Sequence, residues 1–272
     1  MAKRDGRVVE QHPLNAMMPY MMRGRNESLV YFQTALDVEE LLEYIDAKRA
    51  AGVDVKFFQM FVAALVKLLK ERPKLNRFVS GRRVYQRNHI RVSFIAKKAA
   101  TDESEETNVA LTFHEKSTFQ DVLSRMRRDI KTAKSDEVKD DDAFIRTLMK
   151  LPRFALRIVF AVLRWMDFYF DIPKAIANID PLRCSVYVAN LGSIGIEAPF
   201  HHLYEWGNCS VFIAIGRIRY MPVALEDGTL AARKMVEVKV TIDERIADGF
   251  YFARSLELME GYLKNPESIE NL

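Results

Sequence analysis

Apolar and polar positions along the chain follow two different periods, so the sequence predicts both strands and helices. Met235–Ile242 alternates strictly, with three valines and Ile242 on one face, which predicts a half-buried strand. After Asp37, apolar residues recur at helical spacing up to Ile45, and Asp37 is a suitable N-cap. Phe57–Leu69 is apolar nearly all round, which predicts a buried helix that ends before Pro73.

The remaining elements alternate irregularly between the two types. A helix opens at a capping box of Ser117 and Gln120, and another is predicted near Phe250–Leu263. Apolar, β-branched runs predict the further strands Val30–Leu36, Arg83–Gln86, Ile90–Ala96, Asn108–Phe113, Ser185–Asn190 and Cys209–Ile218. Because there is no regular βαβ alternation and no repeat, we expect an α/β two-layer sandwich rather than a Rossmann-type domain. Residues 1–15 are predicted to be a flexible N-terminal segment, and residues 16–272 a single domain.

Leu151–Phe170 is the most apolar stretch of the chain. Arg153, Arg157 and Arg164 interrupt it, and each charge near a bilayer centre costs about 2.5–3.5 kcal/mol, so we do not expect it to span a membrane. The favoured interpretation is a core helix whose arginines reach the surface. A helix that packs between subunits and a basic, aromatic helix at a membrane surface are the alternatives.

Two charged stretches lie in the middle of the chain. Thr101–Thr107 is acidic and is interpreted as a solvated loop, and Lys134–Asp142 as a charged linker.

Composition narrows the class of protein. Of 272 residues, 49% are hydrophobic and 29% charged, which excludes a disordered or fibrous chain. The net charge of +4 lacks the dense basic stripe of a nucleic-acid-binding protein, so no nucleic-acid partner is expected. Cys184 and Cys209 lie in separate apolar runs and are predicted to be core residues. Residues 1–12 contain no apolar core of a secretory signal, and we expect a cytoplasmic protein without membrane contact.

Four segments in order resemble one family. Asp243–Gly249 (DERIADG) is similar to the DHRxxDG motif that closes the acyltransferase cores of 2-oxoacid dehydrogenase complexes. Val186–Gly195 resembles the strand and turn around the family's S-[SN]-L-G. Arg72–Gln86 resembles its P-x-L-N stretch, and Ala16–Phe32 its entry segment. The chain thus resembles the chloramphenicol-acetyltransferase-like superfamily, and most of all the acyltransferase catalytic domain of 2-oxoacid dehydrogenase complexes.

The resemblance implies a fold, a substrate and an assembly. The fold would be the CoA-dependent acyltransferase sandwich, with a mixed sheet and outer helices. Coenzyme A or an acyl-CoA would be the substrate, without a metal. Active sites would lie between the subunits of a homotrimer, from which larger assemblies can be built. No lipoyl or subunit-binding segment is recognisable, so a stand-alone domain is expected.

The two groups that do the chemistry in the family are absent at the matching positions. Glu244 stands at the position of the general-base histidine. Ala189 stands at the position of the serine that donates to the oxyanion, with Asn190 beside it. An ordinary glutamate is a weak base, so Glu244 could serve only if burial raised its pKa by about 2–3 units, whereas Asn190 could donate through its amide.

The scaffold of the family's site is retained. Asp248 and Gly249 are present, and by resemblance the aspartate pairs with an arginine of the N-terminal segment, Arg23 or Arg25.

Further candidates lie after the Leu191–Gly195 turn. His202, beside His201, is a candidate for a relocated base oriented by Glu244 or Glu205, the alternative being a polar loop histidine. Ser193 does not lie in a GxSxG motif and is interpreted as a turn residue. No metal-ligand spacing occurs.

Two hypotheses therefore remain open. The first is an acyl-CoA-dependent acyltransferase with altered catalytic groups. The second is a catalytically inactive homologue that acts as an oligomeric scaffold or acyl-CoA-binding protein.

Overall fold

The computed structural model describes residue 3 and residues 5–97, 106–133, 147–225 and 227–272. The strands are β1 (Gly6–Val8), β2 (Leu29–Asp37), β3 (Arg77–Ser80), β4 (Arg83–Arg87), β5 (Ile90–Lys97), β6 (Glu106–Phe113), β7 (Val186–Asn190), β8 (Val211–Ala224) and β9 (Leu230–Asp243). The helices are α1 (Pro13–Met21), α2 (Glu39–Ala50), α3 (Phe57–Glu71), α4 (Phe119–Ala133), α5 (Arg153–Tyr169), α6 (Lys174–Ile179) and α7 (Gly249–Lys264). Short 3-10 helices follow at Pro73–Asn76, Leu191–Ile194 and Pro266–Glu270.

A six-stranded mixed sheet forms one layer, in the order β2-β9-β8-β7-β5-β6. The pairs β5–β7 and β7–β8 are parallel, and the other neighbours are antiparallel. The alternation of β9 places Val236, Val238, Val240 and Ile242 in the core, where they pack with the nearly fully buried α3. Helices α2, α4 and α7 pack around α3 on the same side of the sheet, which confirms the predicted two-layer α/β sandwich.

A smaller sheet, β1-β4-β3, lies apart from the large one. The predicted strands at Arg83–Gln86 and Ile90–Ala96 therefore exist, but they are consecutive members of different sheets. Gly6–Val8 pairs with β4, so this part of the predicted flexible segment is built into a sheet, while the boundary at residue 15 stays a prediction.

Two local details differ from the sequence prediction. Helix α4 is capped one residue later than expected: Thr118 and Asp121 exchange the hydrogen bonds, whereas the Ser117 hydroxyl accepts from the His114 backbone N–H. The run Thr101–Thr107 falls outside the described residues except for its last two positions, which begin β6, and Lys134–Asp142 lies outside them.

The prediction of a core helix at Leu151–Phe170 is wrong. In α5 only Leu163 is buried, because the helix lies outside both layers. Its C-terminal end is attached to the body through Asp167, which pairs with Arg183 at 2.6 Å. Within the described residues, no helix has the length and apolar character needed to cross a membrane.

The two cysteines are buried, as predicted. Cys184 and Cys209 are free thiols in a second small cluster with Tyr187, Leu203 and Phe212, on the sheet face opposite the main core. Burial raises the pKa of the Cys184 thiol.

Candidate active site

The turn after β9 is built on a buried ion pair. Asp243 is fully buried and accepts hydrogen bonds from Nε and Nη2 of Arg245, at 2.8 and 2.7 Å. The Ser28 hydroxyl donates to the same carboxylate, and Arg245 Nη1 donates to the Met22 carbonyl at 2.8 Å. Through these contacts to Ser28 and Met22, the pair joins the segment before β2 to the Asp243–Gly249 motif.

Arg25 fixes the same N-terminal segment from its other side. Its guanidinium is buried and donates to the carbonyls of Glu205 and Val79, at 3.0 and 3.2 Å. The Glu205 carboxylate in turn accepts from the backbone N–H groups of Arg25 and Asn26. Burial lowers the pKa of Arg25.

The expected pairing of Asp248 with Arg23 or Arg25 is not found in this chain. Arg25 is committed to Glu205 and Val79, and Arg23 is exposed. Asp248 instead caps α7 by accepting from the Tyr251 backbone N–H at 2.8 Å, with Lys74 Nζ 3.7 Å away. That N–H, followed by the Lys74 charge, lowers the pKa of Asp248.

Glu244 lines a cleft of about 420 Å³ between α1, the start of β2 and the motif turn. Asp248 and Gly249 line the same cleft. The Glu244 backbone N–H donates to the Ser28 carbonyl, which fixes the residue at the cleft wall. Its side chain is exposed, and no described residue pairs with its carboxylate, so the single chain leaves this group free to meet a ligand or a second copy.

Ala189 and Asn190 lie at the end of β7, far from Glu244 within one chain. The register places Asn190 opposite Ile215 of β8, and Ile215 opposite Val238 of β9. Val238 precedes Glu244 by six residues, so the two sites differ by roughly 20 Å along the strand direction. Asn190 and Glu244 therefore cannot act on one substrate atom in the same chain.

The turn after Asn190 packs tightly on β8. The Ser193 hydroxyl donates to the Asn190 carbonyl at 2.7 Å, in keeping with its interpretation as a turn residue. A Cβ on Gly192 would lie 2.3 Å from the Gly216 carbonyl oxygen, so only glycine allows this approach.

The histidine pair belongs to a loop on the outer face of the sheet. His201 stacks on Phe212 with ring centroids 3.8 Å apart, and partial burial lowers the pKa of His201. His202 is exposed, and its Nδ1 lies 2.9 Å from the Leu203 carbonyl. The Glu205 carboxylate is occupied by backbone N–H groups and Glu244 has no contact with either ring, so the predicted orienting role of these glutamates is not seen in the chain.

Sequence reasoning missed the groups that hold the site together. The sequence motif contains Asp243 and Arg245 without indicating their role, and no sequence pattern points to Ser28 or Lys74. The pairing of Asp243 with Arg245 could have been predicted from the sequence. An aspartate and an arginine two residues apart at the end of an apolar strand can both be buried only if they pair, because an unpaired buried charge is costly.

No group of three or more histidine, cysteine, aspartate or glutamate side chains in the part of the chain that the structure describes could hold a metal ion.

Comparisons with known proteins agree with the fold. Residues 180–270 match the model of the 2-oxoacid dehydrogenases acyltransferase (catalytic domain) family. No curated protein matches the sequence.

Solved structures resemble the whole chain at low sequence identity. A dihydrolipoamide acetyltransferase of Azotobacter vinelandii has a TM-score of 0.61 at 17% identity, covering 96% of this chain and 93% of that one. The cubic core of a pyruvate dehydrogenase multienzyme complex has a TM-score of 0.60 at 17% identity, with the same coverage. A chloramphenicol acetyltransferase has a TM-score of 0.56 at 12% identity, covering 95% and 100%.

At these sequence identities the structural likeness shows a shared fold. The family-model match at residues 180–270 includes both β7 and the motif that contains Glu244. The chain therefore has the fold of the CoA-dependent acyltransferases, and its C-terminal third is of the 2-oxoacid dehydrogenase acyltransferase catalytic-domain type.

Proposed function

We propose that the protein transfers an acyl group from an acyl-CoA to a hydroxyl or thiol acceptor, in active sites shared between copies of a homotrimer. The separation of Glu244 and Asn190 carries the proposal. Glu244 stands at the position of the family's base and Asn190 adjoins the position of its oxyanion donor, Ala189, yet Glu244 and Asn190 lie roughly 20 Å apart along the sheet of one chain. Such residues can meet only across an interface, where Glu244 of one copy faces Asn190 of the next.

Glu244 is the general base in this mechanism. Its carboxylate takes the proton of the acceptor O–H or S–H as that atom attacks the thioester carbonyl. The tetrahedral oxyanion accepts a hydrogen bond from the Asn190 side-chain amide, a contribution of about 2.7–4 kcal/mol in comparable sites. Collapse breaks the C–S bond, and the departing CoA thiolate recovers the proton from Glu244.

The surroundings of Glu244 support this role. Its carboxylate has no partner among the described residues and opens into the cleft, and a second copy placed over the cleft would supply the burial that a glutamate base requires. In the Azotobacter vinelandii enzyme, a histidine and an asparagine four residues apart have been studied in the catalytic mechanism. Glu244 and Asp248 have the same spacing.

The first test is direct. Calorimetric titration with coenzyme A and a panel of acyl-CoAs, together with a thiol-release assay, should show binding and slow turnover. Glu244→Gln should lower the rate at least about tenfold, since general bases contribute 10²–10⁴. Glu257→Gln, an exposed change on α7 away from the cleft, is the matched control. An unchanged rate in Glu244→Gln would exclude this residue as the base.

A second test asks whether the site is shared. Co-expressed Glu244→Gln and Asn190→Ala chains form mixed trimers in which some interfaces combine an intact Glu244 with an intact Asn190. About a quarter of the wild-type activity should return if the chains mix at random around a closed ring. Activity no higher than in the separate variants would contradict a shared site.

The alternative is a catalytically inactive protein that uses the same fold for assembly or acyl-CoA binding. The observation in its favour is that Ala189 has no hydrogen-bond donor in its side chain and Glu244 is exposed in the single chain. The double variant Glu244→His with Ala189→Ser should then create activity that the wild type lacks. Turnover of any acyl-CoA by the wild type would exclude this alternative.

A further inference from the structure

Helix α5 carries an exposed apolar stripe that the protein body does not cover. Phe154, Ile158, Trp165 and Tyr169 recur at intervals of four, seven and four residues and are 68%, 59%, 55% and 56% exposed. At 3.6 residues per turn these positions fall on one line along the helix. Large hydrophobic side chains so placed mark an interaction surface rather than a core face.

The stripe is exposed because α5 is fastened by its opposite side. Asp167 pairs with Arg183, and the Asp167 carbonyl accepts from the Ser80 hydroxyl at 2.9 Å. Phe160 packs edge-to-face on Trp206 with centroids 5.3 Å apart. These contacts hold the helix against the body with the stripe pointing outward.

A row of arginines borders the stripe. At 100° per residue, Arg153, Arg157 and Arg164 lie about 90–130° from its centre, all on the same side. All three are exposed, and none forms an ion pair with a described residue. The one acid on the helix, Asp167, faces the body and is neutralised by Arg183, so the outer surface of α5 is apolar and positive.

Aromatic and positively charged side chains also lie next to the C-terminal end of α5. The β3–β4 turn places Arg82 at φ 60°, a left-handed conformation that is costly for a side chain other than glycine. Its guanidinium lies 5.7 Å from the Tyr20 ring and 5.9 Å from the Phe168 ring. A cavity of about 600 Å³ beside it is lined mainly by aromatic side chains, together with Arg83, Lys3 and one acid, Asp171.

We propose that the outer face of α5 binds the surface of an anionic lipid bilayer. A helix with aromatic and aliphatic residues on one face and arginines along its edge lies in the plane of the headgroups, with the apolar side chains below it. Tryptophan and tyrosine favour that depth, because their rings are apolar and their N–H or O–H remains hydrated. The arginine row complements the negative charge of an anionic bilayer, and it disfavours the packing of two α5 helices against each other, since neither helix offers an acidic row to the other. At 17 residues, or roughly 25 Å, and with three arginines, α5 lies on the bilayer rather than across it.

Vesicle co-sedimentation tests the proposal with the whole chain. The protein should bind phosphatidylcholine vesicles that contain phosphatidylglycerol, bind them less as salt is raised, and leave pure phosphatidylcholine vesicles largely unbound. Replacing Arg153, Arg157 and Arg164 by Gln should weaken binding about 100-fold, at about 1 kcal/mol for each charge. The triple change of Arg127, Arg128 and Lys131 to Gln on α4 removes the same charge from another helix and should leave binding within about threefold of wild type.

The apolar part is tested separately. Ile158→Glu with Trp165→Glu should abolish vesicle binding and leave the circular dichroism and melting temperature unchanged, because both side chains are exposed. Trp165 fluorescence should shift to the blue with anionic vesicles, and Trp165→Phe should lose that shift while still binding.

Three results would overturn the proposal. They are absent binding to anionic vesicles, equal binding to neutral ones, and full binding by the double glutamate variant. If that variant instead reduces the oligomer size of a protein that ignores vesicles, the stripe is a contact between copies and the lipid proposal fails. None of these readouts depends on acyl transfer.

Discussion

At the scale of single residues, the Asp243–Arg245 pair bears most directly on the site. Both side chains are almost completely buried. Outside the pair, the Ser28 hydroxyl donates to Asp243 and Arg245 donates to the Met22 carbonyl, and both partners lie in the segment that leads into β2. A buried pair stabilises little relative to apolar residues, but removing one partner leaves an uncompensated charge. The pair therefore acts mainly to specify the geometry of the motif turn.

Asp243→Ala should lower the free energy of unfolding by about 3–5 kcal/mol, because the Arg245 guanidinium would remain buried without its carboxylate. Urea denaturation measures the change. Glu257→Ala, which removes an exposed partner of Arg254, should cost no more than about 1 kcal/mol. A loss of similar size in both variants would contradict the structural role given to Asp243.

His201 gives the fold a dependence on pH. Its pKa is lowered because the ring is partly buried against Phe212, so the unfolded chain binds the proton more readily than the folded one. The free energy of unfolding should therefore fall as the pH drops below about 6.5, the ordinary histidine value. The same holds for His89, whose pKa burial also lowers.

His201→Phe keeps a stacked ring and removes the titration. Its free energy of unfolding, compared by urea denaturation between about pH 7.5 and pH 5.5, should fall less than that of the wild type. An equal fall in both proteins would show that other groups carry the dependence.

At the scale of elements, the turn from β7 into the following 3-10 helix positions Asn190. Gly192 passes so close to the Gly216 carbonyl that a side chain must push the turn away from β8. Because Asn190 ends β7 immediately before this turn, a displacement of the turn also moves its amide. The close packing of the Gly192 backbone against β8 therefore positions the side chain of Asn190, the proposed oxyanion donor.

Gly192→Ala should destabilise the fold by about 1–3 kcal/mol through overpacking and lower any acyl-transfer rate. Gly195→Ala, in the same turn, has free space around the new methyl but a φ of 80°, so it should cost only about 1 kcal/mol and spare the rate. Thermal melts and the thiol-release assay compare the two. Equal effects on the rate would argue against a positioning role for the Gly192 contact.

At the scale of the whole molecule, the outer face of the large sheet is only partly covered. The loop of His201 covers its middle, while Tyr31, Phe200 and Ile95 remain substantially exposed on that side. Lys239 lies 4.5 Å from the Phe200 ring centroid, so the patch combines apolar and positive groups. Exposed aromatics on an open sheet face are consistent with the homotrimer proposed above.

Light scattering after size exclusion should give the mass of three chains. Phe200→Glu should shift the protein to a smaller species and abolish acyl transfer together with assembly, because each proposed site needs two copies. Tyr220→Glu, an exposed aromatic on β8 beyond the sheet's buried part, serves as the control and should remain assembled. A wild type that runs as a monomer at all concentrations would contradict the shared site.

Local periodicity in the sequence was enough to predict the regular elements of the core. The alternation of Val236 to Ile242 predicted β9, and the apolar Phe57–Leu69 predicted the buried α3, because side-chain spacing matches the geometry of strand and helix directly. The motif Asp243–Gly249 also pointed to the family whose model matches residues 180–270, since its residues are contiguous in the chain.

Which residues meet, and which faces stay exposed, depends on contacts between segments that are distant in the sequence. The partner of Asp248 is Lys74 rather than an arginine, and β4 and β5 belong to different sheets, because both facts depend on contacts between distant segments. The apolar composition of α5 was compatible with a core helix. Its attachment through Asp167 turns the stripe outward, and no periodicity within the helix could reveal on which side the rest of the protein lies.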